Sequence, residues 1–151
     1  MDELTYIDED AAALPPVSDE GADAAGLRRR GDENRALGAR GEAAAVRFLT
    51  RRGYRILERN WTCFAGEADI IALHDDALAF IEVKTRRSTA KGFPAEAVNP
   101  AKREKYERIA LAYVRDHFLG EAVVRFDVVS VVALPGERAF IRHHIGAYSA
   151  A

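Results

Sequence analysis

The chain has 151 residues, of which 48% are hydrophobic and 30% charged, and its formal net charge is -2. This length fits one domain with a conventional core, and no apolar run approaches the roughly 20 residues that a membrane-spanning helix needs. The single Cys63 excludes an intramolecular disulfide, and the acidic N-terminus lacks the basic start of a signal peptide, so we expect a cytoplasmic protein with no membrane partner.

The first 27 residues differ in charge from the rest of the chain. They hold eight Asp or Glu residues, no Lys or Arg, and a Pro-Pro pair, a composition typical of disorder. We therefore predict a disordered acidic tail at residues 1–27, a linker at 28–37 and a folded domain at 38–151. From Arg28 onward there are 22 basic and 16 acidic residues, which fits a polyanionic partner or, about equally, a solvated arginine-rich surface.

The folded part alternates between helical and strand patterns. Apolar residues at helical spacing predict a first helix that begins between Arg35 and Gly38 and stops at Gly53, and a second that begins at Pro100. A loop is predicted at 88–99, and the Asp75-Asp76 turn makes a hairpin of the strands on either side of it. The predicted strands are Tyr54–Trp61, Glu67–His74, Leu78–Arg86, Val123–Leu134 and Ala139–Ile145.

The segment Val128–Val132 predicts the layer architecture. Its nearly continuous apolar character is typical of a central strand that is covered on both faces. A strand that follows a crossover helix should pair in parallel within the same sheet. We therefore predict an α/β fold with a mixed central sheet of about five strands and helices on both faces.

Three ionisable side chains on the predicted hairpin indicate phosphodiester chemistry. Glu82 and Lys84 point to the same face of their strand because side chains alternate, and the strand that carries Asp69 lies beside it. Carboxylates are the ligands that Mg2+ and Mn2+ prefer, and a nearby ammonium can position the attacking water. Asp69 and Glu82 are therefore predicted metal ligands, the carbonyl of Val83 is a predicted third ligand, and Lys84 is the predicted water-positioning group.

Two further carboxylates are candidates for the same site. Glu67 projects to the same face as Asp69, but pairing with an Arg is an equally good interpretation. Glu42 lies on the first helix among small residues that let a helix approach a sheet, although spacing alone favours a surface charge paired with an Arg.

The alternative for Asp69, Glu82 and Lys84 is a salt-bridge network on a solvated sheet face. The apolar neighbours argue against it, because Ile70, Ile71, Phe80 and Ile81 indicate buried strands, in which unpaired charges are costly.

Four stretches in order resemble a known family: residues 37–44, 52–61, 66–72 and 80–86. They are similar to the bacterial YraN-like family, whose biological function is unknown and which is similar to archaeal Holliday-junction resolvases. The resemblance implies a restriction-endonuclease-like core of the PD-(D/E)xK type, with Glu42 joining Asp69, Glu82 and Lys84 as active-site and metal-binding residues. One departure is Ala68, which precedes Asp69 where the motif's name has proline.

The resemblance leads to a hypothesis and two alternatives. We predict an endonuclease that needs Mg2+ or Mn2+ and acts on branched or flapped nucleic acid, with DNA favoured over RNA as the substrate, and a homodimer would suit a four-way junction. The alternatives are a non-catalytic nucleic-acid-binding module and a subunit that binds an acidic protein. Predicted phosphate contacts lie on and after the Glu82 strand: Arg86, Arg87, Lys91, Lys102 and Arg103.

Overall fold

A computed structural model describes residues 3–8, 24–87, 100–117, 121–136 and 138–147 of the chain. It contains six strands and two helices in this part of the chain. The elements in chain order are β1 (Glu3–Asp8), α1 (Ala24–Arg51), β2 (Arg55–Cys63), β3 (Gly66–His74), β4 (Ala77–Arg87), α2 (Pro100–Asp116), β5 (Val123–Ala133) and β6 (Ala139–His144).

All six strands belong to one mixed sheet, in the order β1-β6-β5-β4-β3-β2. The strands β3 and β4 form the predicted antiparallel hairpin, with Ile70 opposite Ile81 and His74 opposite Ala77. After α2 crosses over, β5 pairs with β4 in parallel along its whole length, from Ala77–Val123 to Arg87–Ala133. These pairings confirm the predicted mixed sheet and the parallel return of the chain.

The two helices cover opposite faces of the sheet. On one face, Phe48 and Leu49 of α1 pack with Ile81 and Val129, and on the other Ile109 and Tyr113 of α2 pack with Phe80. Residues 127–133 of β5 are buried, as expected of a central strand between two layers. The α/β prediction is confirmed, and the arrangement is consistent with a restriction-endonuclease-like core.

The N-terminal organisation differs from the prediction. Residues 3–8, which were expected to be disordered, form β1 and pair with β6 from Glu3–His144 to Asp8–Ala139. This segment contains strand-forming Thr5, Tyr6 and Ile7 between its acidic residues, and the unpaired edge of β6 supplies the missing hydrogen-bond partners. Residues 9–23 of the predicted tail lie outside the described residues.

The predicted linker at 28–37 is also helical, because α1 begins at Ala24 rather than between Arg35 and Gly38. Most side chains from Leu27 to Ala36 are exposed, so this half of α1 buries no apolar stripe that a periodicity could reveal. The helix is supported locally by residues with good helix propensity and by the pair of Asp32 and Arg35, whose Oδ1 and Nη2 atoms lie 2.9 Å apart.

One glycine sets the distance between α1 and the sheet. A Cβ on Gly41 would overlap the side chain of Thr85 on β4, so only glycine allows the two backbones to approach this closely. The next residue along α1 is Glu42. The close approach therefore determines where the Glu42 carboxylate lies relative to the end of β4.

No helix in the described part of the chain combines the length and the apolar character that crossing a membrane requires.

Candidate active site

Asp69 lies where the regular pairing of β3 with β4 ends. The last paired residues are Ile70 and Ile81, and beyond them the backbone N–H of Val83 donates to Asp69 Oδ2 over 2.8 Å. The carboxylate therefore takes the place of a missing ladder partner. In an extended strand the N–H and C=O of one residue point to the same edge, so the Val83 carbonyl also faces this side of β4.

The strand on the other side of β3 is irregular at the same level. Asn60 of β2 lies between the pairs Arg59–Ile70 and Trp61–Ala68, directly across from Asp69. Its φ angle is +51°, in the left-handed region that asparagine tolerates better than most residues. The sheet is thus locally distorted on the β2 side of Asp69, while the β4 side offers it a backbone donor.

Asp69 has an unusual carboxyl group. Burial, together with nearby negative charge, raises its pKa to about 6, against the opposing effect of the hydrogen bond from Val83. The nearby charges are those of Glu42, Glu82 and Glu67. These three glutamates come from α1, β4 and the start of β3, so the tertiary structure brings all four predicted carboxylates into one electrostatic cluster. Half-buried carboxylates that repel each other are typical of sites that bind a cation or exchange a proton.

Glu82 and Lys84 lie on the α2 side of β4, whereas Ile81 and Val83 pack toward α1. The predicted alternation of side chains along this strand is therefore correct. Both Glu82 and Lys84 are partly buried and both make polar interactions.

Lys102 comes from the first turn of α2 and reaches the same group. Its Nζ lies 3.8 Å from Glu82 Oε1, with 42% of the lysine side chain and 19% of the glutamate side chain exposed. The sequence predicted Lys102 as a phosphate contact but did not predict its partner. Only the crossover of α2 onto the β3–β4 face places the two side chains together.

The remaining predicted phosphate contacts are spread over the end of β4 and the start of α2. Arg86 is exposed and Arg87 is half-buried, while Arg103 forms an ion pair with Glu107 on its own helix, 3.2 Å from Nε to Oε1. Lys91 lies outside the described residues, as does the predicted loop that contains it. Arg103 is therefore already paired with a carboxylate of its own helix.

The carboxylate cluster is not closed into a metal centre. Within the described ranges, no three side chains of His, Cys, Asp or Glu lie close enough together to hold a metal ion. The charges of the four carboxylates interact, but their oxygens are not gathered around a single point.

A second polar cluster lies among residues that the sequence did not predict as functional. Asp127 of β5 is buried and its Oδ2 lies 2.8 Å from His143 Nε2, while Arg125 binds both carboxylate oxygens at 2.9 Å. Gly146 N–H donates to Oδ1, and Arg125 Nη2 donates to the Tyr54 hydroxyl at 2.6 Å. The signal for this cluster in the sequence is Asp127 itself, an acidic residue that follows Phe126 within a mostly apolar strand.

The surroundings of the Asp127 cluster indicate a structural role. Burial alone would raise the pKa of Asp127, but the hydrogen bonds from His143, Arg125 and Gly146 lower it below its ordinary value. Phe48 and Tyr54 pack their rings around His143, with centroids 5.9 and 5.6 Å away. A fully enclosed and internally satisfied carboxylate ties β5, β6 and the following turn together.

One exposed aromatic residue also escaped the sequence analysis. Phe64 is 82% exposed in the two-residue turn that joins β2 to β3. The turn is five residues before Asp69, at the same end of the β2–β3 hairpin. In contrast, Tyr54 is buried and Trp61 packs on Tyr113.

A comparison with protein families identifies relatives of this chain. Residues 41–131 match the model of UPF0102, an uncharacterised protein family. The chain belongs to UPF0102. This finding confirms the YraN-like resemblance, and the matched segment contains Glu42, Glu67, Asp69, Glu82 and Lys84.

Individual UPF0102 proteins are similar over most of their length. The chain is 45% identical to a UPF0102 protein of Myxococcus xanthus over 118 residues, which cover 78% of this chain and 93% of the relative. It is 48% identical to one from Nocardia farcinica over 117 residues, covering 78% and 91%, and 50% identical to one from an Arthrobacter species over 96 residues, covering 64% and 81%. Membership of UPF0102 brings no named activity with it.

Proposed function

We propose that this UPF0102 protein is a metal-dependent endonuclease that hydrolyses phosphodiester bonds in branched or flapped DNA. The observation that carries the proposal is the position of Asp69, which is half-buried, bound by the Val83 N–H and surrounded by the charges of Glu42, Glu67 and Glu82. Clustered, partly desolvated carboxylates are destabilising without a cation, so they require a functional reason.

The donor set fits Mg2+ or Mn2+ in its chemistry. Carboxylates and a backbone carbonyl are hard oxygen ligands, and four acidic side chains supply enough charge to hold a divalent cation. The incomplete closure of the cluster is compatible with this assignment because Mg2+ keeps several water molecules and needs few protein ligands. Asp69, Glu82 and the Val83 carbonyl would hold the ion, and Glu42 would add negative charge to the site.

Each residue has a separate task in the proposed reaction. A bound divalent ion stabilises charge on the phosphate and lowers the pKa of a coordinated water. Lys84, which shares a strand face with Glu82, orients the attacking water or the phosphate, and Lys102 and Arg86 contact phosphates of the nucleic-acid backbone. Contacts of this type are independent of base sequence and weaken with salt.

The test combines metal binding with cleavage. Mn2+ is titrated calorimetrically into the wild-type protein, Asp69→Asn, Glu82→Gln and the control Asp76→Asn, which changes an exposed carboxylate in the turn at the opposite end of the β3–β4 hairpin. The same proteins are incubated with four-way, flapped, single-stranded and fully paired DNA. We expect metal binding and cleavage in the wild type and the control and loss of both in the two site variants. Absence of Mn2+ binding at millimolar concentration in the wild type would overturn the proposal.

A second candidate function is a non-catalytic nucleic-acid-binding module with the same fold. It is favoured by the absence of a ready-made group of three metal ligands in the described part of the chain. This alternative predicts DNA binding that is unchanged in Asp69→Asn and no cleavage of any substrate with either metal.

A further inference from the structure

The first turn of α2 places a cation against the proposed metal site. Lys102 is the third residue of the helix, and its Nζ lies 3.8 Å from Glu82 Oε1. The glutamate is mostly enclosed, whereas the lysine is almost half exposed, so the lysine end of this pair is the one that can change its position. Lysine is a compact charge on a flexible stem, which suits a group that changes partners.

The position of Lys102 has a consequence for metal binding. A cation that neutralises Glu82 competes with a divalent ion for the same carboxylate. When the ion binds, the ammonium loses part of its favourable interaction and is repelled by the added charge. It is then available beside the place where a substrate phosphate is expected, at a helix N-terminus that itself favours anions.

We propose that Lys102 exchanges partners during the reaction cycle, binding the Glu82 carboxylate in the metal-free protein and a phosphate oxygen of the nucleic acid once metal is bound. This proposal rests on the proposed endonuclease function. Lys102 is then a positioning residue that couples metal binding to substrate binding. The metal ion releases its ammonium from Glu82, and the released ammonium becomes a contact for the phosphate.

The same helix provides a matched control. Lys105 lies one turn after Lys102, and its stem crosses Gly66 at the start of β3, where an added Cβ would come within 2.6 Å of Cε and 3.4 Å of Nζ. It therefore carries the same charge beside the same cluster. In the described part of the chain, Lys105 forms no ion pair with a carboxylate. Comparing the two lysines separates a general effect of positive charge from the exchange of a specific partner.

The experiment measures two affinities with opposite expected changes. Mn2+ is titrated into the wild type, Lys102→Gln, Lys105→Gln and Lys102→Arg. Binding of a four-way DNA junction to the same proteins is measured without metal and with Ca2+, which replaces Mn2+ in order to prevent turnover. Relative to Lys105→Gln, we expect Lys102→Gln to bind Mn2+ roughly three- to fivefold more tightly. Its affinity for the junction with the divalent ion present should fall roughly tenfold, the loss of one good phosphate contact.

The outcomes distinguish this proposal from the proposed function. If wild-type protein binds Mn2+ and cleaves DNA but the two glutamine variants have equal affinities for Mn2+, the exchange is wrong and the endonuclease stands. If the wild type binds no Mn2+, both proposals fall. Lys102→Arg keeps the charge and should stay within about twofold of wild type for Mn2+, and a change as large as that of Lys102→Gln would point to a disturbed fold and overturn the exchange.

Discussion

The backbone N–H of Val83 donates a 2.8 Å hydrogen bond to Asp69 Oδ2, at the point where the β3–β4 ladder has run out of backbone pairs. The bond fixes an acidic side chain between two strands and beside Glu82. It also opposes the effect of burial, since a hydrogen bond to the ionised form favours ionisation. The site therefore combines a firmly held carboxylate with an environment that disfavours its charge.

This conflict predicts that Asp69 lowers the stability of the protein at neutral pH. An acid whose pKa is raised to about 6 in the folded state binds its proton more tightly there than in the unfolded chain. The free energy of unfolding is therefore highest below the ordinary pKa of 3.8 and falls as the pH rises through about 6. Asp69→Asn keeps an oxygen for the Val83 N–H and removes the charge. We expect urea unfolding to show a gain of about 1–2 kcal/mol at pH 8, after allowance for the partial exposure of the group, and a negligible difference at pH 4. A variant less stable than wild type at pH 8 would contradict the electrostatic argument.

Protonation of Asp69 should compete with metal binding. Below a pH of about 6 the carboxyl is neutral in the absence of metal, so each ion that binds must release its proton. We expect the Mn2+ affinity measured by calorimetry to decline roughly tenfold per pH unit below that point. Glu42→Gln removes one of the charges that raise the pKa of Asp69 and should move the onset of the decline to lower pH. An unchanged onset would place Glu42 outside the cluster.

The contact of Gly41 with Thr85 predicts opposite effects for two similar substitutions in α1. Gly41→Ala adds a methyl group that overlaps Thr85, so we expect a loss of about 2–3 kcal/mol in the free energy of unfolding and weaker Mn2+ binding as Glu42 is displaced. Gly38→Ala, where a Cβ has nothing within 4 Å, should raise stability by up to about 1 kcal/mol through helix propensity. Thermal melting of the two variants checks the pair, and a stabilising Gly41→Ala would show that the helix can shift without cost.

The Asp127 cluster should matter for folding and leave the chemistry intact. Asp127→Ala leaves Arg125 without its carboxylate in a mostly buried position, and we expect a loss of about 3–5 kcal/mol. Because the pKa of Asp127 is lowered in the folded state, its contribution is complete above the ordinary aspartate range and is lost as the pH falls through the folded pKa. The difference between variant and wild type in denaturant unfolding should thus shrink at strongly acidic pH.

Mn2+ titration of folded Asp127→Ala separates the two clusters. We expect an affinity equal to that of wild type. A large loss would mean that the Asp127 cluster positions the proposed metal ligands as well as the strands.

The exposed Phe64 offers a test of substrate structure. Its side chain is 82% exposed, so Phe64→Ala should leave the melting temperature unchanged. If the ring of Phe64 stacks on an unpaired base, the Phe64→Ala variant should bind flapped or four-way DNA roughly tenfold more weakly, with little change for fully paired DNA. Leu111→Ala, which changes a 70% exposed side chain on α2, is the control. Equal binding of all three proteins to flapped DNA would exclude stacking by Phe64.

Local patterns in the sequence were sufficient for most of the core. Alternation along Phe80–Thr85 predicted that Glu82 and Lys84 share one face of their strand, and the apolar run at Val128–Val132 predicted a strand covered on both sides, because burial on a sheet imposes these patterns residue by residue. The same reasoning paired Asp69 with Glu82, since both lie on one hairpin. Motifs in order along the chain also led to the YraN-like family.

Only the tertiary structure decided the features that depend on distant segments. No local pattern identifies the partner in the pairing of β1 with β6, in the Asp127–His143 bond or in the contact of Lys102 with Glu82, and no apolar periodicity marks the exposed first half of α1. In each case residues far apart in the chain satisfy one another's hydrogen bonds or charges, or a helix continues without burying a face. The sequence shows which polar and charged groups need partners. The tertiary structure determines which residues become those partners, because it brings distant segments of the chain together.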